Sequence, residues 1–462
     1  MNWTLKGWMG RAALFLASLL AGLSLPFAGA GAAEDLPAAG YAARADALVQ
    51  DYVGNELFSG AVLVARDGKP IFRKGFGAAN REWAIANTPD TRFRIGSVSK
   101  QFTAAAIMRF VDERKLLLDD AVGKHVRDLP PAWQKVSIRQ LLQHTSGIPR
   151  YTMLDDFDDR LMRIRHTPRQ LIDLVKDLPL EFEPGTKFEY DNTGYVLLGC
   201  VIEAVSGMPY RDYLEQKLLA PLGLRHSGDD DGRRILEKVA LPYTDGPDGV
   251  VRAGPADISN AYAAGAMVSN VDDLLAWQRM LVSGKVLGPD STAAVFTDGG
   301  HHYGLGWYIE NRLARTVYEH GGSWNGYESL LAYYPVDKLT VIVLGNHGEQ
   351  ATVGRIADEL ARLALGLPPA HREARVDPAV FSRLVGRYRL APDMMFSVTS
   401  KDGHLFAQLS GQRQLQIYPE SGNRYFFKAV DAQLVFDELD PDRAAYLVLH
   451  QNGEQIKAPR VD

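Results

Sequence analysis

The sequence predicts an α+β fold followed by a small all-β unit, and three observations carry that prediction. Strand patterns stand at both ends of the stretch between about residues 59 and 344, with helical patterns between them. A further helical pattern follows the last of those strands. Beyond residue 375 the chain changes to short alternating strands separated by turn signals, the habit of a small barrel or sandwich.

Residues 1–33 read as an export leader. Lys6 and Arg11 supply a basic start, Ala12–Leu23 is an apolar run, and Ala28-Gly29-Ala30 and Ala30-Gly31-Ala32 offer small-residue cleavage sites. The competing reading is an uncleaved anchor, but the run is short against the ~20 residues a spanning helix needs. Cleavage implies a periplasmic or secreted protein with no stable membrane span. It also removes Lys6 and Arg11, taking the formal net charge from −5 to −7.

The remaining elements follow in order. Gly60–Ala65 is an apolar run of strand length, Asp67-Gly68 a hairpin turn signal, and Ile71–Phe76 the return strand. From Ser97 to Arg114, Phe102, Ala106 and Phe110 recur every four residues and mark a helix. Helical patterns continue over Pro168–Lys176, Thr193–Val205, Tyr210–Leu219 and Val271–Leu281. Strand patterns return at Leu305–Glu310, Arg315–Glu319, Ser329–Tyr334 and Leu339–Leu344, and Thr352–Leu365 reads as a helix. Strands from both ends of such a segment make one antiparallel sheet. Leu367–Arg375, with paired prolines, reads as a linker. The expected boundaries are therefore a main domain over 34–367, a linker over 368–376 and a β unit over 377–462. The strands expected in that last unit are Phe396–Thr399, His404–Leu409, Leu415–Tyr418, Tyr425–Ala429, Gln433–Phe436 and Ala445–His450.

Composition excludes some functions. Apolar residues make up 46% and charged residues 23%, ordinary for a globular protein with a full core. No Lys/Arg-rich block stands out, so nucleic acid is not an expected partner. Cys200 is the single cysteine and sits in the apolar run Tyr195–Ile202, so it reads as a small buried hydrophobe. His301-His302 has no metal-ligand pattern around it, and neither metal nor cofactor is expected. Asp155, Asp156, Asp158 and Asp159 read as a solvated acidic loop.

Chemistry enters at Ile95-Gly96-Ser97-Val98-Ser99-Lys100. Ser97 and Lys100 fall one helical turn apart on one face. A lysine of lowered pKa can take the proton from a serine and make it a nucleophile. Taken alone, this spacing fits a serine at a helix start and an exposed lysine just as well. Two more elements follow. Tyr190-Asp191-Asn192 offers a phenol that can move a proton and an amide that can hold a lysine or a substrate carbonyl. His320-Gly321-Gly322-Ser323 offers glycines that admit close approach, and the Ser323 N–H could join that of Ser97 in facing a developing oxyanion. Each of these alone also reads as a turn.

Ser97-x-x-Lys100 is the only S-x-x-K in the chain, and Tyr190-x-Asn192 the only Y-x-N. With His320-x-Gly322 they resemble, in order and type, the serine β-lactamase and penicillin-binding protein superfamily, in its class C β-lactamase-like branch. Leu141–Ile148, Glu183–Thr186, Pro221–Gly223, Ala264–Ser269 and Tyr303–Trp307 are similar to stretches of that branch. The resemblance runs from about Ala47 to Leu365, and the C-terminal part resembles the small barrel appended to such hydrolases. It implies a β-lactamase/transpeptidase-like fold, with a five-stranded antiparallel sheet, flanking helices and a helical subdomain.

The resemblance also implies roles. Ser97 would form an acyl-enzyme, Lys100 and Tyr190 would be the general-base pair, and Asn192 would orient substrate and Lys100. His320, Gly322 and Ser323 would line the substrate and oxyanion side. Tyr151, Trp307 and Trp324 are candidates for pocket walls, or are core and rim aromatics. His144 belongs to a family-like loop and reads as structural. The branch carries lysine in β-lactamases where this chain has His320, a residue typical there of D-amino-acid peptidases. A hydrolase of D-amino-acid-containing peptide amides or carboxylic esters is the expected activity, with a cell-wall-derived small molecule or peptide as substrate. A class C-like β-lactamase and a penicillin-binding sensor with little turnover are the alternatives.

Overall fold

The structure is a computed structural model, and it describes residues 38–462 except 247, 248, 438, 439, 441 and 452. The expected leader and its candidate cleavage sites lie outside the described residues. The centre is an antiparallel sheet of six strands, one more than the family resemblance implied. In chain order these are β1 (Ser59–Arg66), β2 (Lys69–Phe76), β3 (Tyr308–Arg312), β4 (Arg315–Trp324), β5 (Tyr327–Tyr334) and β6 (Leu339–His347). Their spatial order is β3-β4-β5-β6-β1-β2. The two ends of the segment meet where β1 pairs with β6, from Arg66↔Leu339 to Ser59↔His347. Asp67 and Gly68 turn the first hairpin with φ values of 50° and 70°, the left-handed pair a two-residue loop demands.

β1 reads as a continuous apolar run because both faces of the sheet are covered. Val62 and Val64 join a core with α1 (Ala38–Gly54) and the helix Gln350–Ala364. Ala61, Leu63 and Ala65 face the larger core, which holds α2 (Lys100–Asp112), α3 (Asn192–Ser206) and α4 (Val271–Val282). The helix Gln350–Ala364 is α5 below. Phe102 stacks on Trp277 at 4.1 Å, tying α2 to α4.

Two strand expectations shift. The strand placed at Leu305–Glu310 begins only at Tyr308, because Gly306 adopts φ 79° beside the Lys100 carbonyl and bends the chain away. The strand placed at Arg315–Glu319 runs on to Trp324. The glycines there read as a turn, but pairing with β5 (Gly321↔Leu330, Gly322↔Ser329) keeps them extended.

The C-terminal strands form one eight-stranded antiparallel meander, β7 (Gly386–Ala391) to β14 (Glu454–Pro459). A bridge between Tyr388 and Arg460 brings the first and last strands together, so the barrel is nearly closed. It has its own core, with Tyr388, Leu405, Tyr425, Leu434 and Leu447. Residues 367–375 carry no helix or strand, yet they are fastened at both sides. Ala370 N donates to Glu359, Ala374 N donates to the Pro419 carbonyl, and His371 stacks on Phe426 at 4.6 Å.

Candidate active site

Ser97 and Lys100 straddle the junction of a 3-10 turn, Gly96–Ser99, with α2. Gly96 takes φ 48°, and a side chain there would stand 2.7 Å from the Ser323 nitrogen. This tight entry leaves Ser97 partly open and buries Lys100 completely.

Lys100 Nζ lies 3.1 Å from Ser97 Oγ, 2.8 Å from Asn192 Oδ1 and 2.8 Å from the Ala264 carbonyl oxygen. Burial drives its pKa well below 10.5, with the Asp191 carboxylate opposing. A neutral amine has two N–H donors and one lone pair. The two carbonyl oxygens can only accept, so they take the donors, and the lone pair is left for the Ser97 hydroxyl. The arrangement can therefore pull a proton from Ser97.

Asn192 opens α3. Asp191 caps that helix, accepting from Thr193 N at 2.7 Å and Gly194 N at 2.9 Å. Burial pushes the Asp191 carboxyl up to about 7, and the two amides pull it back. The cap fixes where the helix starts and so where Asn192 points.

Tyr190 packs its ring 4.7 Å from Lys100 Nζ and parallel to Tyr308. Its hydroxyl is buried without a hydrogen-bond partner of good geometry. Burial and then Tyr308 push its pKa well above 10, while the nearby Ser97 hydroxyl works the other way. The resting group is thus a phenol, a proton donor.

The third motif sits on an open edge. β3 pairs with β4 only as far as Glu319, so residues 320–324 have β5 on one side and the Ser97 turn on the other. A methyl at Gly322 would stand 2.1 Å from the Ile95 carbonyl oxygen and 2.7 Å from the Ser97 nitrogen. Ser329 Oγ donates to that same Ile95 oxygen at 2.8 Å and holds the seam. Ser323 is exposed, and its hydroxyl donates to Glu328 at 2.7 Å.

His320 is only 2% exposed and in ring contact with Tyr190, Tyr303 and Tyr308, so it supports the site from within. Its Nδ1 faces the Gly321 carbonyl at 2.6 Å, which only accepts, so Nδ1 carries the proton. Its Nε2 must then accept from Tyr303 Oη at 3.0 Å. Burial, reinforced by Lys100, lowers its pKa to about 3. The residue is a neutral imidazole with both nitrogens engaged.

The candidate wall aromatics divide. Tyr151 is buried and donates to the Asn260 carbonyl, and Trp307 is fully buried against Phe296, so both belong to the core. Their rings are large enough to be drawn there by the area they remove from water. Trp324 is half-buried beside Ser323, against Ile258, Ala261 and Ala266. Sequence reasoning missed Tyr303 and Tyr308 as partners of His320 and Tyr190, and the Ala264 carbonyl as a partner of Lys100. Tyr303 and Ala264 lie in stretches marked only for their resemblance.

The beta-lactamase family model matches residues 45–366 of this chain. The chain belongs to the beta-lactamase family. Penicillin-binding protein 4* of Bacillus subtilis (strain 168) is 27% identical over 434 residues, covering 87% of this chain and 95% of that protein. D-aminopeptidase of Gluconobacter oxydans is 30% identical over 332 residues, covering 67% of this chain and 59% of that one. Among solved structures, the octameric penicillin-binding protein homologue from Pyrococcus abyssi superposes with a TM-score of 0.66 at 27% identity. It covers 90% of this chain and 99% of its own. This beta-lactamase-family chain is a serine hydrolase.

Proposed function

We propose that Ser97 is the acylated nucleophile of an exported hydrolase of D-amino-acid-containing peptide amides or carboxylic esters. The observation that carries this is Lys100, buried, with its amine shared among Ser97, Asn192 and Ala264. Export rests on the leader pattern alone.

In the proposed reaction Ser97 Oγ attacks the substrate carbonyl carbon as its proton passes to Lys100 Nζ. The oxygen of the tetrahedral intermediate takes the charge, facing the N–H groups of Ser97 and Ser323. The Tyr190 hydroxyl gives its proton to the leaving amine or alkoxide and regains one from Lys100. Water then attacks the acyl-Ser97, with the same groups returning the proton to Ser97.

Neutral His320 supports amides and esters over β-lactams. A penicillin-type carboxylate gains from a fixed cation, and His320 has none to offer across neutral pH. The named D-aminopeptidase relative fits the amide choice. The test is a hydrolysis panel of nitrocefin, p-nitrophenyl esters, D-alanine p-nitroanilide and a D-Ala-D-Ala peptide, with Ser97→Ala as control. Ser97-dependent turnover of the anilide or esters above nitrocefin is expected. Faster nitrocefin turnover would replace this reading with the β-lactamase one. Labelling of Ser97 by a fluorophosphonate or a penicillin without steady turnover would point to a sensor.

A further inference from the structure

Resting on the reading of Tyr190 as proton donor, we propose that His144 is the positioning residue that sets the Tyr190 phenol. Residues 181–191 carry no helix or strand, so Tyr190 is not placed by regular structure. The segment is instead pinned to the loop that contains His144. Glu181 N donates to the Gly147 carbonyl at 2.7 Å and Gly185 N to the Thr145 carbonyl at 2.7 Å. Nearest the phenol, His144 takes the amide on each side of Tyr190. Its carbonyl accepts from Glu189 N at 2.9 Å, and its ring Nδ1 accepts from Asp191 N at 3.0 Å. The His144 ring also packs on the Tyr190 ring with centroids 4.3 Å apart.

The Tyr190 hydroxyl makes no well-formed hydrogen bond at its tip, where the Ser97 hydroxyl is its neighbour, so this backbone clasp and ring face do the aiming. The clasp demands one form of the imidazole. Nδ1 must stay unprotonated to accept, so the ring proton sits on Nε2, which is buried without a partner. An imidazolium would turn Nδ1 into a second donor against the Asp191 N–H. Burial first, then Lys100 and His320, oppose it, while the backbone contact with Asp191 works the other way, and Phe188, Tyr195 and Tyr303 close the cage. His144 also holds φ 57°, a left-handed backbone that a side chain adopts at a cost.

The test uses two substitutions in the full chain. His144→Asn keeps an acceptor close to the Nδ1 position and tolerates the left-handed backbone. His144→Leu removes the acceptor. Turnover is measured per Ser97 titrated with a fluorophosphonate, so unfolded protein does not count. His144→Leu is expected to lower kcat about 10- to 100-fold with KM within about twofold, as a displaced proton donor would. His144→Asn is expected to recover most of that loss. Equal kcat in His144→Leu and wild type, or equal losses in both variants, overturns the proposal. Nitrogen-15 spectra of histidine-labelled protein give a readout independent of turnover. A His144 signal of the Nε2–H form, unchanged from pH 5 to 8, is expected. An Nδ1–H form or a titration in that range overturns it. Wild-type protein with no Ser97 labelling would sink the hydrolase reading instead, while the spectra still decide the His144 bond.

Discussion

At the scale of residues, Lys100 is the centre of the proposed chemistry and a cost to the fold. Its native pKa lies well below 10.5 because the charged form is buried, so between that value and the unfolded one the unfolded chain holds a proton the native chain lacks. Stability from this group is complete above the unfolded pKa and is lost as pH falls through the native one. Denaturant midpoints should therefore climb as pH rises towards the unfolded lysine range more steeply in wild type than in Lys100→Met. Identical slopes would mean that Lys100 is charged in the native state. Ser97→Ala should lower kcat by about 10⁴-fold or more without moving the melting temperature. Surviving turnover in active-site-checked protein would assign the nucleophile elsewhere. That Ser97, Lys100, Tyr190 and Asn192 come together was legible in the sequence, because their side chains mark three ordered motifs. The Ala264 carbonyl was not, since a backbone oxygen leaves no mark on residue type.

At the scale of elements, the site depends on the open end of β4 against the Ser97 turn. Gly322 is needed there because the neighbours of any added methyl are the Ile95 and Ser97 backbone atoms, which have little room to yield. Gly322→Ala should lower kcat by about 10²-fold or more, the scale of losing one oxyanion donor. Wild-type turnover in that variant would remove the seam from the mechanism. The sequence marked this motif but left a turn as the competing reading of its glycines, because local preference cannot see β5 pairing across Gly321 and Gly322. The same blindness hid β7 and β14 of the barrel. Arg387 and Arg389 alternate with Tyr388 in β7, and β14 is mostly exposed, so neither strand shows an apolar run. Their identity comes from closing the barrel, a property of partners distant in the chain.

At the scale of the whole molecule, barrel and body share contacts instead of hanging on a tether. Leu415 and Val430 pack on both cores, and Thr352 of α5 donates to the Ala429 carbonyl at 3.0 Å. Arg413 of the barrel side meets Asp245 at 3.0 Å, and buried His347 at the end of β6 meets the same carboxylate at 3.2 Å. Calorimetry of residues 38–462 should therefore show one unfolding transition. Leu434→Ala, in the barrel core, should cost about 2–5 kcal/mol and move the whole transition. Two separated peaks, with only one moved, would mean that barrel and body unfold independently.

The last strand of the barrel pairs with β13 (Tyr446–Gln451) on one side and meets β7 on the other, where Val461 N donates to the Arg387 carbonyl at 2.9 Å. It works as the stave that closes a cask. Clipping residues 454–462, by a protease or by a badly placed stop codon, would bare a row of unpaired amides and carbonyls along β13 and leave β7 open as well. Such edges recruit strands from other chains. Residues 454–462, far in sequence from Ser97, thus cover two edges that would otherwise be open to other chains.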